Sequence, residues 1–318
     1  MNRQTLLKEL ENITGRGRVL SDEPLLRHCS FRTGGPADLF VRTGTADQLR
    51  QVLALLKAEG VETFLLGRGT NLLIGDKGFK GAVITMTDTA SEKEAESEGR
   101  EPLRRISVSG TTLTAGAGAS LQSIALTAAR YGLSGLEFAA GIPGSLGGGI
   151  VMNAGAYDGE MKQVVREVTL LEDGEIRTLT GEEMQFGYRT SYMKSHEGAV
   201  LGAVMDLKEG DPAAITERIR ELAVKRREKQ PLEYASAGST FKRPAIPGVY
   251  AGRLIQDAGL RGYACGDAQV SEKHCGFVIN RGGASAAQIR RVIEDVRERV
   301  FENSGIRLER EVIYLGEF

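Results

Sequence analysis

Residues 140–157, AGIPGSLGGGIVMNAGAY, constrain this chain more than any other stretch. Gly141, Gly144, Gly147, Gly148 and Gly149 leave main chain bare of side chains, and no charge occurs from Phe138 to Tyr157. Bare main chain brings its N–H groups close to a ligand, which suits a flat or phosphorylated molecule that side chains would hold away. A flexible linker is the alternative. Linkers are polar and rich in Ser or charge, whereas this stretch interleaves Ile142, Leu146, Ile150, Val151 and Met152. It reads as a buried loop apposed to a ligand.

A chain of 318 residues has room for two or three domains and ample core. The formal net charge of −1 gives no electrostatic footprint for nucleic acid or an anionic membrane. No uninterrupted apolar run is long enough to span a bilayer, and MNRQTLLKELEN lacks the apolar region of a secretion signal. Cys29, Cys265 and Cys275 are odd in number and lack C-x-x-C spacing, and His28, His196 and His274 are scattered, so no metal-binding set is expected. The expectation is a soluble cytoplasmic protein with reduced cysteines and neither nucleic-acid nor membrane partners.

Local signals order the chain. Thr45 caps a helix whose Leu49, Val52, Leu53 and Leu56 share a face, and Gly60 stops it. A strand over Thr63–Leu66 runs into GRGTNLLIG (67–75), a βαβ-like opening with a Gly-rich loop at the strand end. Residues 87–104 are acidic and Ser-rich and read as a mobile surface loop. Strands near 105–109 and 111–115 and a helix over 121–131 follow. An Asp173-Gly174 turn between Val168–Leu171 and Ile176–Leu179 predicts a hairpin. A strand over 199–207 leads to Asp211, the cap of a helix through Ile215, Ile219 and Leu222 that ends in KRREK and Pro231. Beyond it come a short helix (252–258), strands near 268–270 and 277–280, and a long helix from Ser285 with an Ile289, Val292, Ile293, Val296, Val300 stripe. The last strand is expected over 311–315. There is no internal repeat.

Two Gly-rich loops, Gly67-Arg68-Gly69-Thr70-Asn71 and 141–149, suggest a ligand with both a diphosphate and an aromatic part. Neither matches G-x-x-x-x-G-K-[ST], and neither gives G-x-G-x-x-G with a following acidic residue, which disfavours P-loop and Rossmann nucleotide sites.

GRGTNLLI, AGIPGSLGGGIVMNAGAY, GYRTSYMK, SAGSTFKRP, AGRLIQDAGLRG and EKHCGFVIN, in this order, resemble the UDP-N-acetylenolpyruvoylglucosamine reductase family over most of the chain. The resemblance implies an α+β chain: a two-subdomain FAD-binding fold of the vanillyl-alcohol oxidase type (1–86 and 87–230), then an α/β substrate-binding domain (231–318) whose C-terminal strand returns to the FAD domain. It implies non-covalent FAD, NADPH as hydride donor, a UDP-sugar enolpyruvyl ether as substrate, and a monomer turning over by alternate binding of NADPH and substrate. FAD contacts are expected from Gly67, Gly69, Thr70, Asn71 and Leu72, and from Ala140, Gly141, Pro143, Gly144, Ser145, Gly148, Gly149, Asn153, Gly155 and Ala156.

Three residues match the family's catalytic positions. Arg189 is a permanently charged fork suited to the substrate carboxylate. Ser239 is the proton donor to C2, where some relatives carry Cys. Glu311 precedes the hydrophobic run and helps polarise that carboxylate; Glu309, two residues earlier, would project from the same strand face. Tyr188, Lys225, Lys242 and His274 match substrate contacts, while Arg243 stands where some relatives carry Asn. The tyrosine-bearing insertion of longer relatives has no room between Asp206 and Lys225, as in the shorter subtype. Another flavin oxidoreductase or oxidase on the same fold is the alternative. A non-catalytic flavin or nucleotide-sugar binder is a further one, though it would need no proton donor.

Overall fold

The computed structural model describes residues 1–87 and 101–318. In chain order its main elements are α1 (Arg3–Thr14), β1 (Val19–Pro24), β2 (Pro36–Arg42), α2 (Ala46–Ala58), β3 (Thr63–Leu66), β4 (Leu72–Ile74), β5 (Phe79–Thr85), β6 (Ile106–Ser109) and β7 (Thr112–Gly116). Then come α3 (Leu121–Arg130), α4 (Leu146–Val151), β8 (Val165–Glu172), β9 (Glu175–Thr180), β10 (Ala199–Asp206) and α5 (Pro212–Lys229). The chain finishes with β11 (Ala235–Ser236), α6 (Ala251–Asp257), β12 (Ala264–Cys265), β13 (Ala268–Val270), β14 (Val278–Asn280), α7 (Ala286–Ser304) and β15 (Ile313–Leu315). Two compact units result: residues 1–21, 39–68 and 81–224, and residues 22–38, 69–80 and 225–318.

The first unit holds most of a sheet of order β1-β2-β5-β3, with β3 and β5 parallel from Thr63 opposite Ala82 to Leu66 opposite Thr85. Thr45 caps α2 by accepting the Gln48 N–H, and the buried Leu49, Val52 and Leu56 form its inner stripe. Its second sheet has order β9-β8-β10-β7-β6. The β8–β9 hairpin turns at Asp173-Gly174, both at positive φ (49° and 81°), as a two-residue turn matched to strand twist requires. One apolar core runs through this unit from Leu6 to Leu207.

In the second unit β11-β14-β13-β12 form an antiparallel sheet, and β15 pairs in parallel with β4. Ser285 and Gln288 form a reciprocal capping box on α7, and Gly305 at φ 69° ends it. Ile289, Val292, Ile293, Val296 and Val300 are all buried.

Several expectations change. A helix precedes the one capped by Thr45: α1 buries only Leu6, Leu10 and Thr14, a stripe too thin to stand out in a polar segment. The Gly-rich stretch is not a continuous loop; it forms a 3₁₀ turn over Glu137–Gly141 and then α4. The expected surface loop over 87–104 falls largely on residues 88–100, outside the described residues, but Pro102 and Leu103 at its end are buried. Leu103 donates its N–H to Gly44 O and accepts from Gly118, which fixes it in the core. The last strand starts at Ile313, so Glu311 lies before it.

Two glycines test how far the fold depends on main-chain geometry. Gly174 and Gly78 share a positive φ, but a Cβ at Gly174 meets nothing within 4 Å, whereas one at Gly78 meets Pro36 O at 1.8 Å. Gly174→Ala should cost about 1 kcal/mol, the conformational term alone. Gly78→Ala should cost on the order of 4 kcal/mol because main chain must also move. Urea unfolding of both variants checks this; equal losses would show that the close approach at Gly78 is unimportant.

Candidate active site

In the first unit the two Gly-rich loops meet. A Cβ at Gly67, just after β3, would sit 2.5 Å from Ser145 Oγ. Ser145 is buried and caps α4, its Oγ accepting the Gly148 N–H at 3.4 Å. The three α4 glycines then divide by role. A Cβ at Gly147 would press on Ala117 Cβ at 3.2 Å, and one at Gly149 on Leu121 at 3.2 Å, so both are needed for packing. Gly148 faces outward, and its Cβ would meet only Ser145 Oγ at 3.6 Å. Nothing among the described residues requires a glycine there.

Arg189 is fastened to the end of the same stretch. Gly187 and Thr190 exchange main-chain hydrogen bonds, making a tight turn with Arg189 at φ 56°. A left-handed conformation costs an arginine about 1–2 kcal/mol, and three contacts hold it. Ser191 Oγ donates to Val151 O (2.9 Å), Asn153 Nδ2 donates to Gly187 O (3.0 Å), and Arg189 reaches Gly155 O in a long contact of 3.5 Å. The Arg189 guanidinium also lies 5.3 Å from the ring centre of the exposed Tyr188. Sequence reasoning found Arg189 but neither Ser191 nor the amide of Asn153 as its supports. A hydroxyl and an amide carry no local pattern that names a partner 34 to 40 positions away.

In the second unit a predicted cofactor residue and a predicted catalytic one are bonded together. Asn71 Nδ2 donates to Glu311 O at 3.0 Å, and Ile313 N–H donates to Asn71 O at 3.0 Å. Gly69, at φ 61°, has no room for a side chain, since a Cβ would lie 2.0 Å from His28 O. Thr240, fully buried, organises the rest. Its N–H donates to Gly276 O, its Oγ1 accepts from Val278, and its carbonyl accepts from Glu311. The neighbouring Ser239, after left-handed Gly238 (φ 73°), is exposed.

Glu309 and Glu311 lie before the last strand, on either side of Arg310. Here Phe241 and Arg310 form an isolated antiparallel bridge, and Lys242 N–H donates to Glu309 O. The Glu309 carboxylate pairs with Lys242 Nζ, which leaves Glu311 as the half-buried acid of the two. His274 Nδ1 accepts the Gly276 N–H at 3.1 Å, so its proton sits on Nε2 when the ring is neutral. Burial pushes its pKa below the ordinary value. Lys225 is exposed on α5.

Comparison with known proteins adds identity to this geometry. Residues 37–180 match the profile described as FAD binding domain, and residues 230–315 match that of the UDP-N-acetylenolpyruvoylglucosamine reductase C-terminal domain. UDP-N-acetylenolpyruvoylglucosamine reductase of Caldanaerobacter subterraneus subsp. tengcongensis is 45% identical, covering 99% of each chain. That of Clostridioides difficile is 44% identical over the whole of both. The crystal structure of the Thermus caldophilus enzyme superposes with a TM-score of 0.73 at 32% identity, covering 93% of this chain and 98% of that one.

The residues present fit FAD. An uncharged stretch meets Gly67 at a strand end, and Gly148 is an exposed helical glycine that packing does not explain. Gly148→Ala should therefore keep or raise the stability of FAD-free protein, by up to about 1 kcal/mol from helix propensity, while weakening FAD retention. Thermal unfolding of stripped protein and flavin titration check it; unchanged FAD affinity would sink the assignment of Gly148 to the cofactor.

His274 supplies a pH test. A histidine with a depressed folded pKa leaves stability whole above its unfolded value, near 6.5. Stability is then lost as pH falls from there through the lowered folded value, because the unfolded chain binds the proton more readily. His274→Gln should flatten the decline in urea stability below pH 6.5; the same slope in both proteins would show that another group causes it. Two family profiles and near-complete coverage at 44% and 45% identity establish that the chain belongs to the UDP-N-acetylenolpyruvoylglucosamine reductase family.

Proposed function

We infer that the chain is an FAD-dependent oxidoreductase that uses NADPH to reduce UDP-N-acetylglucosamine enolpyruvate to UDP-N-acetylmuramate, in peptidoglycan precursor synthesis. The observation that carries this is the end-to-end likeness to enzymes of that name, covering 99% of this chain and of the relative. The chemistry bound FAD supplies is hydride transfer, from NADPH and then to C3 of the enolpyruvyl group.

The chain's own residues take the remaining parts. Arg189 pairs with the substrate carboxylate, where negative charge builds during reduction, and a fixed guanidinium stabilises it without reorganising. Its strained, clamped turn supports the role, since a conformation that costs free energy persists where function requires it. Glu311 acts on the same carboxylate. Ser239 delivers a proton to C2; its exposed hydroxyl, beside the rigid Thr240, suits a donor that must meet a substrate. Tyr188, Lys225, Lys242 and His274 are assigned to substrate binding, with lysine charge suited to a diphosphate. The 67–72 segment, and the 140–156 segment apart from Asn153, whose side chain bonds within the protein, are assigned to FAD.

A cytoplasmic monomer is part of this reading, as is a division into FAD-binding subdomains over 1–86 and 87–230 and a substrate domain over 231–318. Among the described residues no helix is long and apolar enough to cross a membrane.

Anaerobic spectra of Ser239→Ala decide the central role. NADPH should bleach the flavin as in the parent protein, whereas reoxidation by the enolpyruvyl substrate should slow by about 100-fold or more, the range of general-acid effects. Reoxidation at the parent rate would remove Ser239 from the reaction. Failure of the parent protein itself to reoxidise would overturn the substrate.

A further inference from the structure

We propose that Asn153 is the positioning residue of Arg189 and not a contact of the cofactor. The inference rests on the role given to Arg189 above. Asn153 is 2% exposed, and its side chain is committed to protein. One amide hydrogen goes to Gly187 O at 3.0 Å and the other to Glu160 Oε2 at 3.0 Å, while Oδ1 accepts the Lys162 N–H at 2.9 Å. Both donors are therefore spent within the protein.

The geometry leaves little choice of residue. The site needs two N–H donors and one acceptor on a short stem, from a main chain at φ 41°. Asparagine tolerates that left-handed conformation better than most residues. Aspartate has no donor when ionised and would set its charge against Gly187 O and the Glu160 carboxylate. Serine supplies one donor in place of two, and glutamine is a methylene too long.

The consequence falls on the Arg189 turn. Two main-chain bonds between Gly187 and Thr190 close that turn, and it holds Arg189 at an unfavourable φ. Asn153 holds the Gly187 end and Ser191 the other, so the strained residue sits between two anchors. Without the amide the turn relaxes and the guanidinium loses its fixed place. Misplacement of a charge-stabilising group by about 1 Å costs on the order of 100-fold in rate.

The test compares Asn153→Ala, Arg189→Ala and the double variant under anaerobic conditions, with FAD titration beside the kinetics. Asn153→Ala should bind FAD with the parent dissociation constant and be bleached by NADPH at the parent rate. Reoxidation by the enolpyruvyl substrate should slow on the order of 100-fold. Placed on Arg189→Ala, it should add less than about 3-fold, since a positioning residue has nothing left to position. Loss of FAD affinity in Asn153→Ala, or full additivity with Arg189→Ala, overturns the proposal. A normal rate in Arg189→Ala overturns the role of Arg189 itself, and the proposal with it. Should Asn153→Ala not fold, Asn153→Ser keeps one donor and must show the same coupled loss; a parent rate in that variant also overturns the proposal.

Discussion

The parallel pairing of β15 with β4 is the interaction on which the second unit depends. It sets Ile313–Leu315 beside Leu72–Ile74, and each strand is only three residues long, so few ladder bonds oppose the entropy of closing so long a loop. Close main-chain approach beside the pair makes up the difference. A Cβ at Gly75 would meet Glu317 O at 2.0 Å, and one at Gly316 would meet Gly78 O at 2.0 Å. Asp76, between them, accepts the N–H groups of Ala286 and Ala287 at the start of α7, where the helix dipole favours a carboxylate. Asn71 and Glu311 are bonded because this closure is made. A residue with no regular secondary structure of its own acquires a fixed place from a strand that begins two residues later.

The first unit reaches the same end by other means. There the turn that carries Arg189 belongs to no strand longer than a bridge, and side chains fix it: Ser191 on Val151 and Asn153 on Gly187. Each anchor ties the turn to the Gly-rich stretch, Ser191 by a bond to Val151 O and Asn153, within the stretch, by a bond to Gly187 O, so that stretch sets the position of a charged side chain as well as offering bare main chain of its own. The conformational cost at Arg189, about 1–2 kcal/mol, is of the size that two part-buried hydrogen bonds offset.

What was legible in the sequence was local. Thr45, Ser285 and Asp211 cap helices as their side chains predict, and Asp173-Gly174 turns the predicted hairpin. Periodicity gave the inner face of α7 because five apolar residues repeat on it. The elements that went unseen are those whose partners are remote or whose residues argue against them. β4 is a three-residue run that makes sense only beside β15. α4 forms from three consecutive glycines and their flanks, a composition that helix propensity opposes, because Ser145 caps it and Leu146 and Ile150 bury. The motifs named Arg189, Ser239 and Glu311, but not the left-handed turn, the buried Thr240 or the bond from Asn71. These depend on distances that no spacing encodes.

The two acids before β15 show how magnitude separates roles that sequence left adjacent. Glu309 pairs with Lys242, but its side chain is 71% exposed, and such a pair contributes at most about 1 kcal/mol. A contact that weak orients the lysine without retaining it. Glu294 is the contrasting case. It accepts from the Tyr314 hydroxyl at 3.0 Å and pairs with Arg297, while Arg310 stacks 3.7 Å from the Tyr314 ring centre. Burial, with the Glu294 carboxylate adding to it, pushes the Tyr314 phenol above its ordinary range, so that hydrogen bond stays intact at any physiological pH. The network grips residues on both sides of Glu311. Glu309 is thus free to exchange partners on a segment that Glu294 keeps still.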